Sequence, residues 1–229
     1  VKLEMIGLCH STSSLETRAR AAITPERMGE VVNQLLAQQY VEGVVVLSTC
    51  NRVEFYFSPL RHFEEPVLRA LFADICRLTP EEAAACYIRR DHAAVDHLFR
   101  VAAGLESQML GEVQILAQVK NAYHTALEFA ATNGILNTLF LRAIECGKLV
   151  RHRTAISQGA VSVAYAAVDV AQRMFGNLAE HNILLVGAGE TIRLATKYLE
   201  DAGAARWRIC NRTRENAEKL AETLKAEVT

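Results

Sequence analysis

No stretch of about 18 apolar residues occurs in this 229-residue chain, so no membrane-spanning helix is predicted. The N-terminus also lacks a basic segment followed by an apolar one, the pattern of a secretory leader. Charge of one sign is not in excess: 25 Lys and Arg stand against 26 Asp and Glu, a net of −1. That balance excludes a surface that coats nucleic acid by bulk charge, while leaving room for a local basic patch. No two cysteines form a C-x-x-C pair. Cys9, Cys50, Cys76, Cys86, Cys146 and Cys210 are scattered, and a chain of this size needs no disulfide staples. Reduced thiols in the cytoplasm are the reading that follows. Internal repeats and low-complexity tracts are missing too, and no metal site is expected.

What is present is ordinary core material, 51% hydrophobic and 22% charged, enough for one large domain or two small ones. Both ends look cut, since the chain opens on Val1 and stops at Thr229 where a strand begins. Residues 2–8 read as a strand, followed by a polar loop from His10 to Ser14. Met28, Val31, Val32, Leu35 and Leu36 recur at helical spacing after Thr24, a candidate N-cap, and Pro25. Gly43 to Leu47 is a short β-branched run that suits a buried strand. It ends in the polar cluster Ser48-Thr49-Cys50-Asn51-Arg52, and Val53 to Phe57 returns as a second strand.

From about residue 63 the pattern is mostly helical. Asp91 is a candidate N-cap for a helix over 91–104 with Val95, Leu98 and Ala102 as its stripe. Gly104 and Gly111 punctuate the way to a helix that starts near Val113, and another helix spans 135–152. Thr154 to Gly159 reads as a hinge. Ala160 to Phe175 has so few charges that a helix packed on several sides is expected.

The period changes at Asn182. Ile183 to Val186 is a strand, Gly187-Ala188-Gly189 a tight turn, and Glu190 to Ala202 a helix. Trp207 to Cys210 and Thr213 to Lys225 repeat the pair, which opens a βαβ unit. A strand ending in Gly-x-Gly lets a diphosphate approach the next helix's free N–H groups. Ile192 replaces the third glycine of the usual fingerprint. The second strand ends in Cys210-Asn211-Arg212-Thr213-Arg214, with no carboxylate to repel a 2′-phosphate and two arginines to pair with one. NADPH is therefore favoured over NADH.

Most free cysteines are core, and four of the six sit in or beside apolar patterns. Cys50 differs. It follows a buried strand, sits among polar residues and has Arg52 two positions on, a cation expected to lower its pKa.

The segment Ser48-Thr-Cys-Asn-Arg-Val-Glu54 closely resembles the glutamyl-tRNA reductase family. Supporting matches are Gly7 to His10, His97 to Gly104, Leu110 to Leu116, Ser162 to Ala166, Gly187 to Ile192 and Asn211 to Thr213. The resemblance implies an α/β fold: a catalytic domain over 1–156, a long spinal helix beginning within 157–180, and a truncated Rossmann-type NADP-binding domain over 181–229. A C-terminal dimerisation domain would follow.

It also implies roles. Cys50 would attack the ester of glutamyl-tRNA and hold the glutamyl group as a thioester, which NADPH would reduce to glutamate 1-semialdehyde in tetrapyrrole (porphyrin) biosynthesis. His97 would act near the thiol. Thr49, Asn51 and Arg52 would line the glutamate pocket, Arg52 with a bidentate grip on a carboxylate. Ser107, Glu112, Val113, Gln114 and Gln118 would contact substrate. Gly187, Ala188, Gly189, Glu190, Thr191, Ile192, Asn211, Arg212 and Thr213 would hold the cofactor. The full-length form would be a homodimer that passes its product to glutamate-1-semialdehyde aminomutase. Arg142, Lys148, Arg151 and Arg153 form a basic stretch, which composition alone assigns to a solvated face. Ser11, Ser13 and Ser14 depart from the family pattern, which leaves the loop after His10 without a role. Two other classes fit parts of the pattern: a shikimate-dehydrogenase-like NADP enzyme, and a non-catalytic regulatory relative.

Overall fold

The computed structural model describes residues 2–156 and 163–229. They fall into two compact units, with the division at residues 160 and 161.

The first unit is built on an antiparallel sheet of β1 (Glu4–Cys9), β2 (Val41–Ser48), β3 (Arg52–Pro59) and β4 (Tyr87–Arg90), in the order β2-β3-β1-β4. Every residue of β3 is buried, because helices cover both faces of the sheet. Alternation then sorts its side chains. Phe55 meets Phe72 of α3 (Glu65–Cys76) edge to face on one side. Tyr56 meets Phe140 of α7 (Gly134–Arg153) on the other. Arg52, Glu54 and Tyr56 share that second side, so a polar stripe runs through an apolar strand.

Register fixes what the stripe meets. Cys9 lies opposite Arg52, and Gly7 lies opposite Glu54 on one flank and Tyr87 on the other. A Cβ on Gly7 would stand 2.7 Å from Glu54 Cγ. The glycine is what makes room for the glutamate.

Two elements escape the sequence reading. Leu15–Ala21 forms a short helix, α1, and Ser14 caps it by accepting from Thr17 N at 3.1 Å. Ser13 donates to Cys9 O at 2.8 Å. The departing serines therefore shape this loop. The other is β4, four residues at the sheet edge.

Helix α2 (Pro25–Leu36) begins at Pro25 as expected, but the Thr24 side chain makes no capping bond to it. Asp91 also fails as a side-chain cap for α5 (His92–Ala103). Its carboxylate instead accepts from Leu3 N at 3.1 Å and pairs with His62 at 3.1 Å, which ties the sheet edge to the chain's start. Helix α6 (Gln114–Glu128) packs on β2 and α7.

The second unit has three parallel strands, β5 (Asn182–Val186), β6 (Arg206–Cys210) and β7 (Glu227–Val228), in that order. Helices α8 (Val163–Phe175), α9 (Glu190–Asp201) and α10 (Arg214–Leu224) complete it. Leu185, Trp207, Ile209, Leu220 and Val168 form its core. The described part of the expected spinal helix, α8, packs here. Its beginning, and the second half of the expected hinge, lie outside the described residues. Helix α8 is less enclosed than its composition suggested: Val170, Met174 and Phe175 are each more than half exposed, as are Leu184 and Val186 of β5.

Candidate active site

Between β2 and β3 the chain reverses in a tight turn. Thr49 N donates to Arg52 O at 2.8 Å. The Thr49 hydroxyl accepts from Asn51 N and Arg52 N, each at 3.1 Å, and so serves the turn itself. Cys50 stands exposed at the tip. The buried Arg18 of α1 donates through Nε to Cys50 O at 3.3 Å, and His10 N donates to Asn51 O at 2.9 Å. The thiol is thus carried on a braced loop.

Its electrostatics reverse the expectation. Partial desolvation and the nearby Glu112 carboxylate push the Cys50 thiol above its ordinary value, against opposition from a backbone hydrogen bond and Arg18. Strand alternation turns the Arg52 side chain inward. There Arg52 is 1% exposed; its two terminal nitrogens donate to Glu54 Oε1, at 2.8 Å, and to Glu106 O. The expected bidentate grip is already partly spent within the protein.

Glu54 is the hub of this interior. It is fully buried and accepts from Arg52, from Tyr56 OH at 2.7 Å and from Tyr87 OH at 2.6 Å, with His97 Nε2 at 2.8 Å. Burial alone would raise its pKa. The Arg52 guanidinium, His97 and Tyr87 outweigh that and hold it at about 2. The strand motif contained Glu54, but its role is invisible without Tyr87 and His97, which arrive from β4 and α5. An acid facing inward on an otherwise apolar strand was the available signal.

Arg52, Tyr87 and His97 open onto a cavity of about 330 Å³, also walled by Cys9, Arg100 and Glu106. Cys50 is not part of its wall.

The loop between α5 and α6 carries the next group of expected residues. Gly104 and Gly111 have φ of 80° and 78°, and Gly111 N donates to Gly104 O at 2.9 Å. A Cβ on Gly111 would collide with Ile156 O. Arg151 of α7 donates to the carbonyls of Glu112 and Val113 at 2.9 and 2.8 Å. It is a clamp, not a freely solvated charge. Ser107 Oγ is buried without a hydrogen-bond partner among the described residues, and Val113 is exposed. Gln114 and Gln118 stand four residues apart on α6, one face of its first turns. The structure therefore brings Glu112 to Cys50 and ties His97 and Arg52 together through Glu54. Three of the six thiols, Cys9, Cys76 and Cys86, are buried; Cys146 is half-buried and Cys210 is exposed, so fewer are core than expected.

In the second unit Gly187 takes φ 110° and donates to Cys210 O at 2.7 Å. Gly189 precedes α9 with no side-chain cap, which leaves the first helical N–H groups open to an anion. Ile192 approaches Gly187, Ala188 is buried, and Glu190 and Thr191 are exposed. At the end of β6, Asn211 Nδ2 donates to Thr213 O at 2.7 Å, and Arg212 and Thr213 face solvent. Arg214 pairs with Glu218 at 2.8 Å. These residues fit a diphosphate with an anionic ribose substituent. Among the described residues, no cluster of His, Cys, Asp or Glu could hold a metal ion, and no helix is long and apolar enough to cross a membrane.

Fold and site define a class: a thiol-bearing α/β domain joined to the opening of a nucleotide-binding type of parallel sheet. Residues 6–154 match the family model of the glutamyl-tRNAGlu reductase N-terminal domain, and residues 169–229 match that of shikimate/quinate 5-dehydrogenase. The chain belongs to the glutamyl-tRNA reductase family. It is 42% identical over 220 residues to the glutamyl-tRNA reductase of Marinobacter nauticus, covering 96% of this chain and 51% of that protein. Identity to the Pseudomonas aeruginosa PAO1 glutamyl-tRNA reductase is 44% over 218 residues, covering 95% and 51%. The solved glutamyl-tRNA reductase of Methanopyrus kandleri aligns with a TM-score of 0.67 at 37% identity, covering 99% of this chain and 53% of that one. The chain spans about half the length of the curated relatives it matches.

Proposed function

We propose that this chain is the catalytic portion of an NADPH-dependent reductase that converts glutamyl-tRNA to glutamate 1-semialdehyde, the first step of tetrapyrrole biosynthesis. The observation that carries the reading is an exposed thiol on a braced turn, beside a buried Arg52–Glu54–His97 network, in a chain of this family. Cys50 Sγ attacks the ester carbonyl, the tRNA leaves through its ribose oxygen, and the glutamyl group stays on sulfur. A thioester is easier to reduce than an ester, which is the chemical reason for the detour.

Arg52, fixed as a cation by Glu54, supplies positive charge at the wall of the cavity for a substrate carboxylate. Thr49 and Asn51 hold the turn, with His97 on the same buried hub. Ser107, Glu112, Val113, Gln114 and Gln118 line the approach to the ester. Gly187 to Ile192 and Asn211 to Thr213 would hold NADPH, which supplies the hydride when bound. The longer protein is read as a cytoplasmic homodimer that hands its aldehyde to an aminomutase, on the family resemblance.

The test is mass spectrometry of the full-length protein mixed with glutamyl-tRNA and no nicotinamide nucleotide. A glutamyl increment on the Cys50 peptide is expected. An unmodified Cys50 in a preparation that turns over once NADPH is added overturns the proposal.

A further inference from the structure

His10 follows β1 directly, and its backbone bond to Asn51 sets it beside the turn that carries Cys50. Its ring nitrogen Nδ1 is buried and has no hydrogen-bond partner among the described residues. Leaving a buried polar atom unpaired is costly, and such an atom in a native site calls for an explanation. The charged groups facing His10 are Arg52 from β3, Arg18 from α1, and Glu106 and Glu112 from the loop between α5 and α6. Burial and the two guanidiniums outweigh the two carboxylates and hold the imidazole below its ordinary value. The ring is therefore neutral near pH 7 and free to accept a proton.

Two of those neighbours, Arg18 and Glu112, also act on Cys50. Thiol and imidazole thus share one electrostatic environment. A thiol pushed upward supplies little thiolate near neutrality, so its attack needs a base. His97 opens instead onto the cavity whose wall does not include Cys50, and its Nε2 is held by Glu54 at 2.8 Å.

We propose that His10 is the catalytic base of Cys50, taking the thiol proton as sulfur attacks the glutamyl ester and returning it to the departing ribose oxygen. The S–C bond forms and the ester C–O bond breaks. One proton moves from thiol to imidazole to ribose hydroxyl, and no electrons are gained or lost. The transfer is direct or through one water, and it is completed in the substrate complex, because catalytic hydrogen bonds commonly tighten only there. The inference rests on the thioester reading above.

The experiment measures the single-turnover rate of glutamyl transfer to Cys50 in the full-length enzyme, without NADPH, between pH 5 and pH 9. The wild type is expected to show a rising limb with its midpoint below 6.5, the ordinary histidine value. His10→Asn should lose that limb and run on the order of 10²-fold slower at pH 7. Added imidazole should restore part of the rate to His10→Ala, an effect that a purely structural histidine would not give. Should both variants unfold, the wild-type profile decides, and absence of a limb below 6.5 overturns the inference. It also fails if His10→Asn retains both limb and rate, or if the limb vanishes in Glu112→Gln alone. Failure of the wild type to acylate Cys50 at all would instead sink the thioester reading itself.

Discussion

Gly7 and Glu54 face each other across β1 and β3, and a methyl group on the glycine would stand 2.7 Å from the glutamate's Cγ. Val53 O would lie 2.9 Å from the same methyl, so the backbone offers no relief. Gly7→Ala must therefore push Glu54 away from Arg52, Tyr87 and His97 or spread the two strands. Overpacking of this kind costs about 1–3 kcal/mol. Urea unfolding of the full-length variant should show that loss, with a larger fall in thioester formation than in nucleotide binding. Equal stability and unchanged acylation would show that β1 carries no such constraint.

Glu54 is also a carboxylate whose ionisation contributes to the stability of the fold. Its ordinary value is 4.5, and in the folded protein it is held at about 2. A depressed carboxylate contributes stability that is present above its unfolded value and lost as pH falls through the folded one. Acid unfolding of the wild type should thus draw on Glu54 between about pH 4.5 and 2. Glu54→Gln should flatten that segment of the stability profile. It should also destabilise the protein at pH 7 by about 3–5 kcal/mol, because Arg52 would be left buried without its counter-charge. A Gln variant whose acid limb matches the wild type would contradict the assignment.

How much of this was legible beforehand depended on distance along the chain. Strands β2 and β3, helix α2 and the βαβ opening follow from local periodicity, and their bounds agree with it closely. Strand β4 did not, because Tyr87-Ile-Arg-Arg90 is four residues with two exposed arginines, too short to show alternation. Helix α1 is only seven residues and borrows its cap from a serine that reads as loop. At the site, Cys50 stood out because its neighbours are polar and adjacent. The direction of its shift is not legible in the sequence, for the opposite reason. Arg52 is near in sequence but points to the other side of the strand, whereas Glu112 is remote in sequence and near in space. Glu54 reads as an acid on an apolar strand, but its role as a hub depends on Tyr87 and His97, which are remote in sequence.

That reversal at Cys50 can be measured. Burial and Glu112 raise the thiol above its ordinary value of 9.0. Iodoacetamide labelling of Cys50, followed by peptide mapping to separate it from the exposed Cys210, should reach half its maximal rate above pH 9. Glu112→Gln should move that midpoint downward and speed labelling at pH 8, since one opposing charge is gone. Labelling that is half-maximal near pH 7 would mean that a cation, and not the carboxylate, governs the thiol.

Arg151 separates structural from substrate roles among the basic residues of α7. Its guanidinium bonds the carbonyls of Glu112 and Val113, the residues that lead into Gln114 and the start of α6. Arg151→Met keeps much of the aliphatic stem but removes both donors, leaving two carbonyls without these bonds, at about 1 kcal/mol each if water replaces them. Hydrogen exchange over residues 104–116 should accelerate, and acylation of Cys50 should slow as Glu112 loses its anchor. A residue that served only to attract tRNA would behave differently. Its loss would weaken binding in a salt-dependent manner and leave exchange in this loop unchanged. Observing that second pattern would return Arg151 to the solvated basic face from which its position in the sequence first placed it.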